Sequence, residues 1–285
     1  MIEQTRARSQ STFVLGLYDH DSPLSILRGY EVCLVKIFEY IDEWYRDHVT
    51  TDSTAYRMFE RPVLFPRSTG LNINMMPVKS SRYGNFWKTL PEFCFQYNDL
   101  LVACMMEYGC DDWQNQTIYV TINEGVVEQG TTQRRGGLHI ERPCRPALGN
   151  ITTPGDDDYP MQRFGLGEWC IDRPKNGIVM VSNVDETCQV WPCLIKNSHE
   201  VTDKHGGIEN MRRDIGESTL LKANQLCWFT DITPHESVAM KKTQHRSFFR
   251  VVVGPMSEWH SKHCTANPDG TLPDCTIVDD DKFVE

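Results

Sequence analysis

The chain has 285 residues, 40% of them hydrophobic, enough for a sizeable core and as compatible with one large β-rich domain as with two small ones. A formal charge of −10 and a pI near 5.4 set the long-range field against polyanions, which argues against nucleic acid and anionic membrane as partners. No apolar run approaches the roughly 18 residues a membrane helix needs.

The first apolar run, Phe13 to Leu17, is too short for the hydrophobic region of a secretory leader, so a cytoplasmic location is expected. The 11 cysteines are odd in number and lack CxxC pairs, which fits buried thiols in a reducing compartment better than a disulfide framework. The glycosylation sequons at Asn115 and Asn150 are then accidental.

Ser22-Pro23 opens the clearest helix. Ser22 can cap it, and Pro23 suits the first helical position, where its missing N–H costs nothing. Leu27, Tyr30, Leu34, Ile37, Phe38, Ile41 and Trp44 share one face, which predicts packing on a sheet. Residues 50–90 read as loop with brief strands, and a second helix is expected over 91–108. After Gly109 the pattern changes to short segments rich in β-branched and aromatic residues, at 117–125, 137–141, 177–183, 188–194, 218–223, 225–232 and 246–254.

Two stretches interrupt these strands. Residues 149–169 are rich in Gly, Pro and Asp, and 196–217 are strongly polar. Inserts of this length are usually lids or disordered. From Asn267 onward a solvated acidic tail is expected. Helices followed by seven or eight antiparallel strands predict an α+β fold on a β-sandwich or barrel. Its parts are an N-terminal support region (1–116), a β core (117–254) and a C-terminal extension (255–285), together one structural domain.

The chemistry centres on 133–145, QRRGGLHIERPCR. His139 and Glu141 are two apart on an expected strand, so both side chains reach the same face and can share a metal ion. With 9 His and 39 acidic residues in the chain, about one such pair arises by chance. Context adds weight. A later strand–turn–strand run reaches His235, and Arg246 and Arg250 stand 11 and 15 positions beyond it. His139, Glu141 and His235 would form a two-histidine, one-carboxylate triad with open metal positions.

In this order of HxE, late histidine and basic residue, 117–254 resembles the Fe(II)/2-oxoglutarate-dependent dioxygenases. The paired arginines resemble their taurine-dioxygenase-like branch. The resemblance implies a double-stranded β-helix (jelly-roll) core with the N-terminal helices packed on it. It also implies Fe(II) on His139, Glu141 and His235, and 2-oxoglutarate with its far carboxylate on Arg246, where a planar guanidinium fork suits it. Arg250, on the same strand face, would hold a second anionic group. The expected activity is oxidation of a C–H bond in a small, anionic substrate. The carboxylate is Glu where Asp is commoner in that family.

Arg134, Arg135, Arg142 and Arg145 crowd the HxE, as an electropositive mouth or as ordinary surface charge. Asp231 and Glu236 flank His235 as alternative carboxylate ligands. His260, His263 and Cys264 form a metal half-site without a partner motif and read as surface. His20 reads as structural, and His199 and His205 as solvent-facing. Cys144 lacks a histidine base. Two other readings stay open: a cupin-like metalloenzyme without 2-oxoglutarate, although the usual HxH signature is absent, and a non-catalytic binding or scaffold module.

Overall fold

Alternating apolar residues in the second half of the sequence produce a mostly antiparallel β structure, consistent with a β-sandwich. The computed structural model describes residues 44, 48–80, 89–108, 116–141, 162–196 and 198–280. The chain divides into two compact units, Met1–Trp44 and Tyr45–Glu285. The helix expected after Ser22-Pro23 lies outside the described residues, as do His20, Arg142, Cys144, Arg145 and the His199 side chain.

In the second unit the elements run as β1 (Val49–Thr51), β2 (Tyr56–Pro62), β3 (Asn72–Lys79), α1 (Asn98–Met106), β4 (Thr117–Val127), β5 (Glu168–Cys170), β6 (Arg173–Lys175), β7 (Gly177–Ser182), β8 (Cys188–Val190) and β9 (Cys193–Ile195). They continue as a helical turn α2 (Ser198–Val201), β10 (Thr219–Leu220), β11 (Gln225–Phe229), β12 (His235–Ser237), β13 (Gln244–Val253), β14 (Glu258–His260) and β15 (Thr276–Val278). The main sheet has the order β2-β11-β7-β13-β4-β3, with every pairing antiparallel. A smaller sheet has the order β10-β8-β12.

Strand β13 shows how sequence sets the layers. Phe249, Val251 and Val253 join a buried cluster with Leu101, Cys104 and Met105, so this side of the sheet carries α1. Phe248 and Val252 join a second cluster with Cys188 and Val190 of the smaller sheet. Arg246 and Arg250 follow the same alternation onto that second side. Each fully buried large aliphatic side chain in these clusters contributes about 1.5–3 kcal/mol of transfer free energy.

Several expectations need adjusting. The helix expected over 91–108 begins as a 3₁₀ segment, Glu92–Tyr97, and becomes α-helical only at Asn98. Three residues per turn aligns Cys94 with Tyr97, the two buried residues of that segment. The strand expected over 188–194 breaks between Val190 and Cys193, where Pro192 lacks an N–H for a ladder. In 50–90, β2 and β3 are full members of the main sheet and form its two edges. The polar insert 196–217 is not a loose lid: Val201, Ile208, Met211 and Ile215 are buried. The C-terminal segment is docked over its described part, which reaches Asp280. Asn267 is buried and donates to the Pro77 and Thr89 carbonyls, and β15 pairs in parallel with β14.

The eight cysteines among the described residues are all free, and five of them are buried. Among the described residues no helix is long and apolar enough to cross a membrane.

Candidate metal centre

Residues 137–141 do not form a full strand. Gly137 turns with φ +80°, and only His139 pairs, bridging His235 on one side and Gly207 on the other. The His139–His235 bridge is reciprocal, each N–H donating to the other's carbonyl at 3.0–3.1 Å. Glu141 N–H donates to the Asp231 carbonyl at 2.9 Å. Gly207 lets the Asp203 carboxylate pack close on the far side: a Cβ there would stand 2.3 Å from one of its oxygens, which would have to shift. The polar insert thus clamps the HxE segment, and its Glu209 accepts from Leu138 N–H at 3.2 Å.

This backbone frame brings three side chains together. His139, Glu141 and His235 each present a ligand atom, all within 4.8 Å of one another. The imidazoles are oriented for coordination. His139 Nδ1 lies 2.7 Å from the Gly137 carbonyl and His235 Nδ1 lies 2.9 Å from the Thr233 carbonyl. A carbonyl can only accept, so each Nδ1 carries the proton and each Nε2 keeps its lone pair for a cation. Burial, reinforced by the adjacent His235, lowers the His139 pKa to about 3, so its ring is neutral at physiological pH, as a metal requires. Two neutral imidazoles and a carboxylate suit a divalent first-row ion.

Glu141 faces both ways. Its Oε1 lies 3.7 Å from His235 Nε2 and accepts from Arg250 Nη1 at 2.5 Å. Arg250 also approaches Met75 Sδ at 3.3 Å, and its buried Nε has no hydrogen-bond partner. Arg246 is placed differently. It is 1% exposed, donates from Nε to Ser182 Oγ at 3.0 Å and approaches Cys188 Sγ at 3.4 Å. Its guanidinium lies over the Phe248 ring at 5.3 Å. Burial lowers its pKa, against the pull of Cys188.

Two cavities meet at this wall. The smaller, about 40 Å³, is lined on the histidine side by His139, His235, Met180, Phe229 and Phe248. The larger, about 370 Å³, opens on the Glu141 side against Asn72, Asn74, Asn123, Gln133, Phe164 and Trp259. Arg134, Arg135 and Arg250 border both.

The alternative ligands do not join the triad. Glu236 is held by Arg212 and Gln189, and the Asp231 carboxylate is outside the converging group. Nor do His260, His263 and Cys264 converge as a metal cluster among the described residues; His260 Nδ1 pairs with Asp280. The His205 carbonyl accepts from Arg135 at 2.6 Å.

Sequence reasoning overlooked the carboxamides of the larger cavity. Asn72 and Asn74 are two apart in β3, and Asn123 interrupts an apolar β4. Polar alternation inside otherwise buried strands was the available signal. The bulge between Ile73 and Met76 was not readable: it places Met75 at φ +50°, tied by its N–H to Thr121 Oγ1 and by its carbonyl to Trp259 Nε1. Such bulges re-aim side chains beside functional sites.

No protein-family model matches the chain, and neither a curated protein nor a solved structure does.

Proposed function

We propose that this protein is an Fe(II)- and 2-oxoglutarate-dependent oxygenase that oxidises a C–H bond of a small, anionic substrate, acting in the cytoplasm rather than on nucleic acid or membrane. The observation that carries the reading is the convergence of His139, Glu141 and His235 with both Nε2 lone pairs free for a cation. The strand order supports it. From β4 to β13 the chain passes between sheets so that β4-β13-β7-β11 form the core of one, while the His139 bridge, β12, β8 and β10 form the other. That is the pairing expected of a double-stranded β-helix.

In this reading His139, Glu141 and His235 hold the iron, and bound iron with 2-oxoglutarate supplies the oxidising power for C–H cleavage. Arg246, fixed by Ser182 and Cys188, offers a permanent charge to the far carboxylate of 2-oxoglutarate. Met180, Phe229 and Phe248 keep bulk water from the histidine side. Arg250 orients Glu141 through its hydrogen bond to Oε1.

Anaerobic Fe(II) titration with and without 2-oxoglutarate tests the assignment. Stoichiometric iron binding and a weak visible charge-transfer band that needs both components are expected. Protein that binds no iron, manganese or zinc would instead favour a non-catalytic scaffold. A second reading, a cupin-like metalloenzyme without 2-oxoglutarate, is favoured by one observation: Arg246 is only 1% exposed and the cavity by the histidines measures about 40 Å³. Iron binding with no response to 2-oxoglutarate would select it.

A further inference from the structure

The segments that carry the two histidines meet at one isolated backbone bridge, His139 to His235. On one side of it the Glu141 N–H continues the connection to the Asp231 carbonyl. On the other side antiparallel pairing sets Leu138 opposite Glu236, and there side chains take over from the backbone. Glu209 Oε2 accepts from the Leu138 N–H at 3.2 Å, and Glu236 directly follows His235 in β12. A single guanidinium, that of Arg212, holds both carboxylates. Its Nη2 donates to Glu209 Oε2 at 2.8 Å and to Glu236 Oε2 at 2.5 Å. Its Nη1 donates to Glu236 Oε1 at 3.0 Å, and its Nε donates to Glu209 Oε1.

The surroundings hold each member in place. Arg212 follows a 3₁₀ turn, Glu209–Met211, and Ile208, Met211 and Ile215 are buried, which anchors the backbone that carries it. Its guanidinium lies over the Trp191 ring at 5.7 Å. The Trp191 N–H in turn donates to the carbonyl of Pro234, the residue before His235, at 3.0 Å. Glu236 also accepts from Gln189, its partner across the β8–β12 pair. Arg212 is partly open to solvent, at 36% side-chain exposure, and ion pairs that open contribute little to global stability. What matters is what this one connects.

We propose that Arg212 is a positioning residue for the metal centre: its fork fixes the spacing of the bridge segment and β12, and through them the separation of the His139 and His235 imidazoles. The inference rests on the triad holding a metal. A guanidinium suits the task because its donors point in fixed directions, so two carboxylates on one fork cannot move independently. A lysine ammonium would keep the charge and lose that geometry. Metal–nitrogen bonds of about 2 Å leave little room for the two rings to drift apart.

The test compares wild type, Arg212→Gln and Arg212→Lys as full chains. Calorimetric titration with Mn(II) gives affinity, the visible absorption of bound Co(II) reports ligand geometry, and thermal unfolding checks folding. Arg212→Gln should bind Mn(II) about tenfold more weakly, the low end of the range for losing a group that supports a metal ligand, and should shift the Co(II) bands. The sign is diagnostic. Removing a nearby positive charge would by itself tighten a divalent cation, so weaker binding marks lost positioning. Arg212→Lys should fall between wild type and Arg212→Gln. In a Glu236→Gln background, Arg212→Gln should cost little more, since the bridge is already broken. Mn(II) binding by Arg212→Gln as tight as wild type or tighter would overturn the proposal and leave the metal assignment intact. So would wild-type behaviour of Arg212→Lys, which also decides the matter if the Gln variant does not fold. Fully additive losses in the double variant would overturn it as well. Absence of Mn(II) binding in wild type, or binding unchanged in His139→Ala, would overturn the metal assignment and this inference together.

Discussion

The two sides of the triad differ as the chemistry of their ligands requires. On the histidine side, Met180, Phe229 and Phe248 close a cavity of about 40 Å³. Burial there penalises the imidazolium form and keeps His139 neutral. On the carboxylate side the cavity is about nine times larger, at 370 Å³, and carboxamides join its wall, while Arg134, Arg135 and Arg250 border both cavities. A carboxylate needs that polarity, since the same apolar burial would protonate it. A neutral-nitrogen ligand and an anionic-oxygen ligand thus want opposite surroundings, and a triad on the boundary between two cavities gives both.

The largest expected effect breaks the histidine side. His139→Ala or His235→Ala should remove stoichiometric divalent-metal binding while leaving the protein folded, since each removes one of the three side chains that converge among the described residues. Losses beyond the roughly 10–100-fold typical of altering a ligand's supporting hydrogen bond are expected. Calorimetry with Mn(II) or Zn(II), paired with circular dichroism, checks both parts. Full affinity in either variant would show that the histidine is not a ligand. His260→Ala serves as the control and should leave metal affinity untouched, because His260 is engaged by Asp280.

The next effect concerns the cosubstrate. Arg246→Ala should weaken 2-oxoglutarate by about 2–5 kcal/mol, the range for losing a buried charge-assisted pair, with a much smaller change in metal affinity. Equal 2-oxoglutarate affinity in wild type and variant would move the weight to a metalloenzyme that does not use it. Arg246 and Arg250 share a face of β13 but have different neighbours, so exchanging their roles in such an experiment would redraw the two sides.

How much of this was legible in the sequence depends on distance along the chain. His139 and Glu141 are two apart, and strand geometry alone puts them on one face. His235 could be placed because turn residues and apolar runs fixed the order of β11, β12 and β13. The different surroundings of Arg246 and Arg250 could not be read, because Ser182 and Cys188 reach Arg246 from β7 and β8 while Glu141 reaches Arg250 from the bridge segment. The carboxamide wall comes from β3 and β4, and its Met75 bulge depends on Thr121 and Trp259. Conversely, His260, His263 and Cys264 are close in sequence, yet Asp280 claims His260 from twenty positions away. Local spacing predicts shared faces; it does not predict which distant partner arrives first.

The smallest effect tests whether Glu141 is special among carboxylates that are out of bulk water. Glu124 is the comparison. It accepts from the Tyr97 hydroxyl at 2.6 Å and from the Thr69 and Leu71 N–H groups at 2.8 Å, and is 9% exposed. Burial alone would raise its pKa, but these donors outweigh it and hold the carboxyl below its ordinary value. Its role is to tie the loop before β3 and the 3₁₀ segment to β4. Glu124→Gln should therefore destabilise the fold by about 1.5–3 kcal/mol, the range for hydrogen bonds to a charged group, and leave Mn(II) affinity unchanged. Because the folded pKa lies below the unfolded one, the stabilisation is fully present above the unfolded carboxylate value near 4.3 and fades as pH falls through the folded value. The stability gap between wild type and variant should accordingly be constant from pH 7 down to about 5 and narrow below that, as denaturant titrations at stepped pH would show. A gap that widens in acid would mean the amide fails for a steric reason rather than for loss of charge. A fall in Mn(II) affinity would mean that the network around Glu124 holds the metal centre in place, and the separation of a structural carboxylate from a ligand carboxylate would not stand.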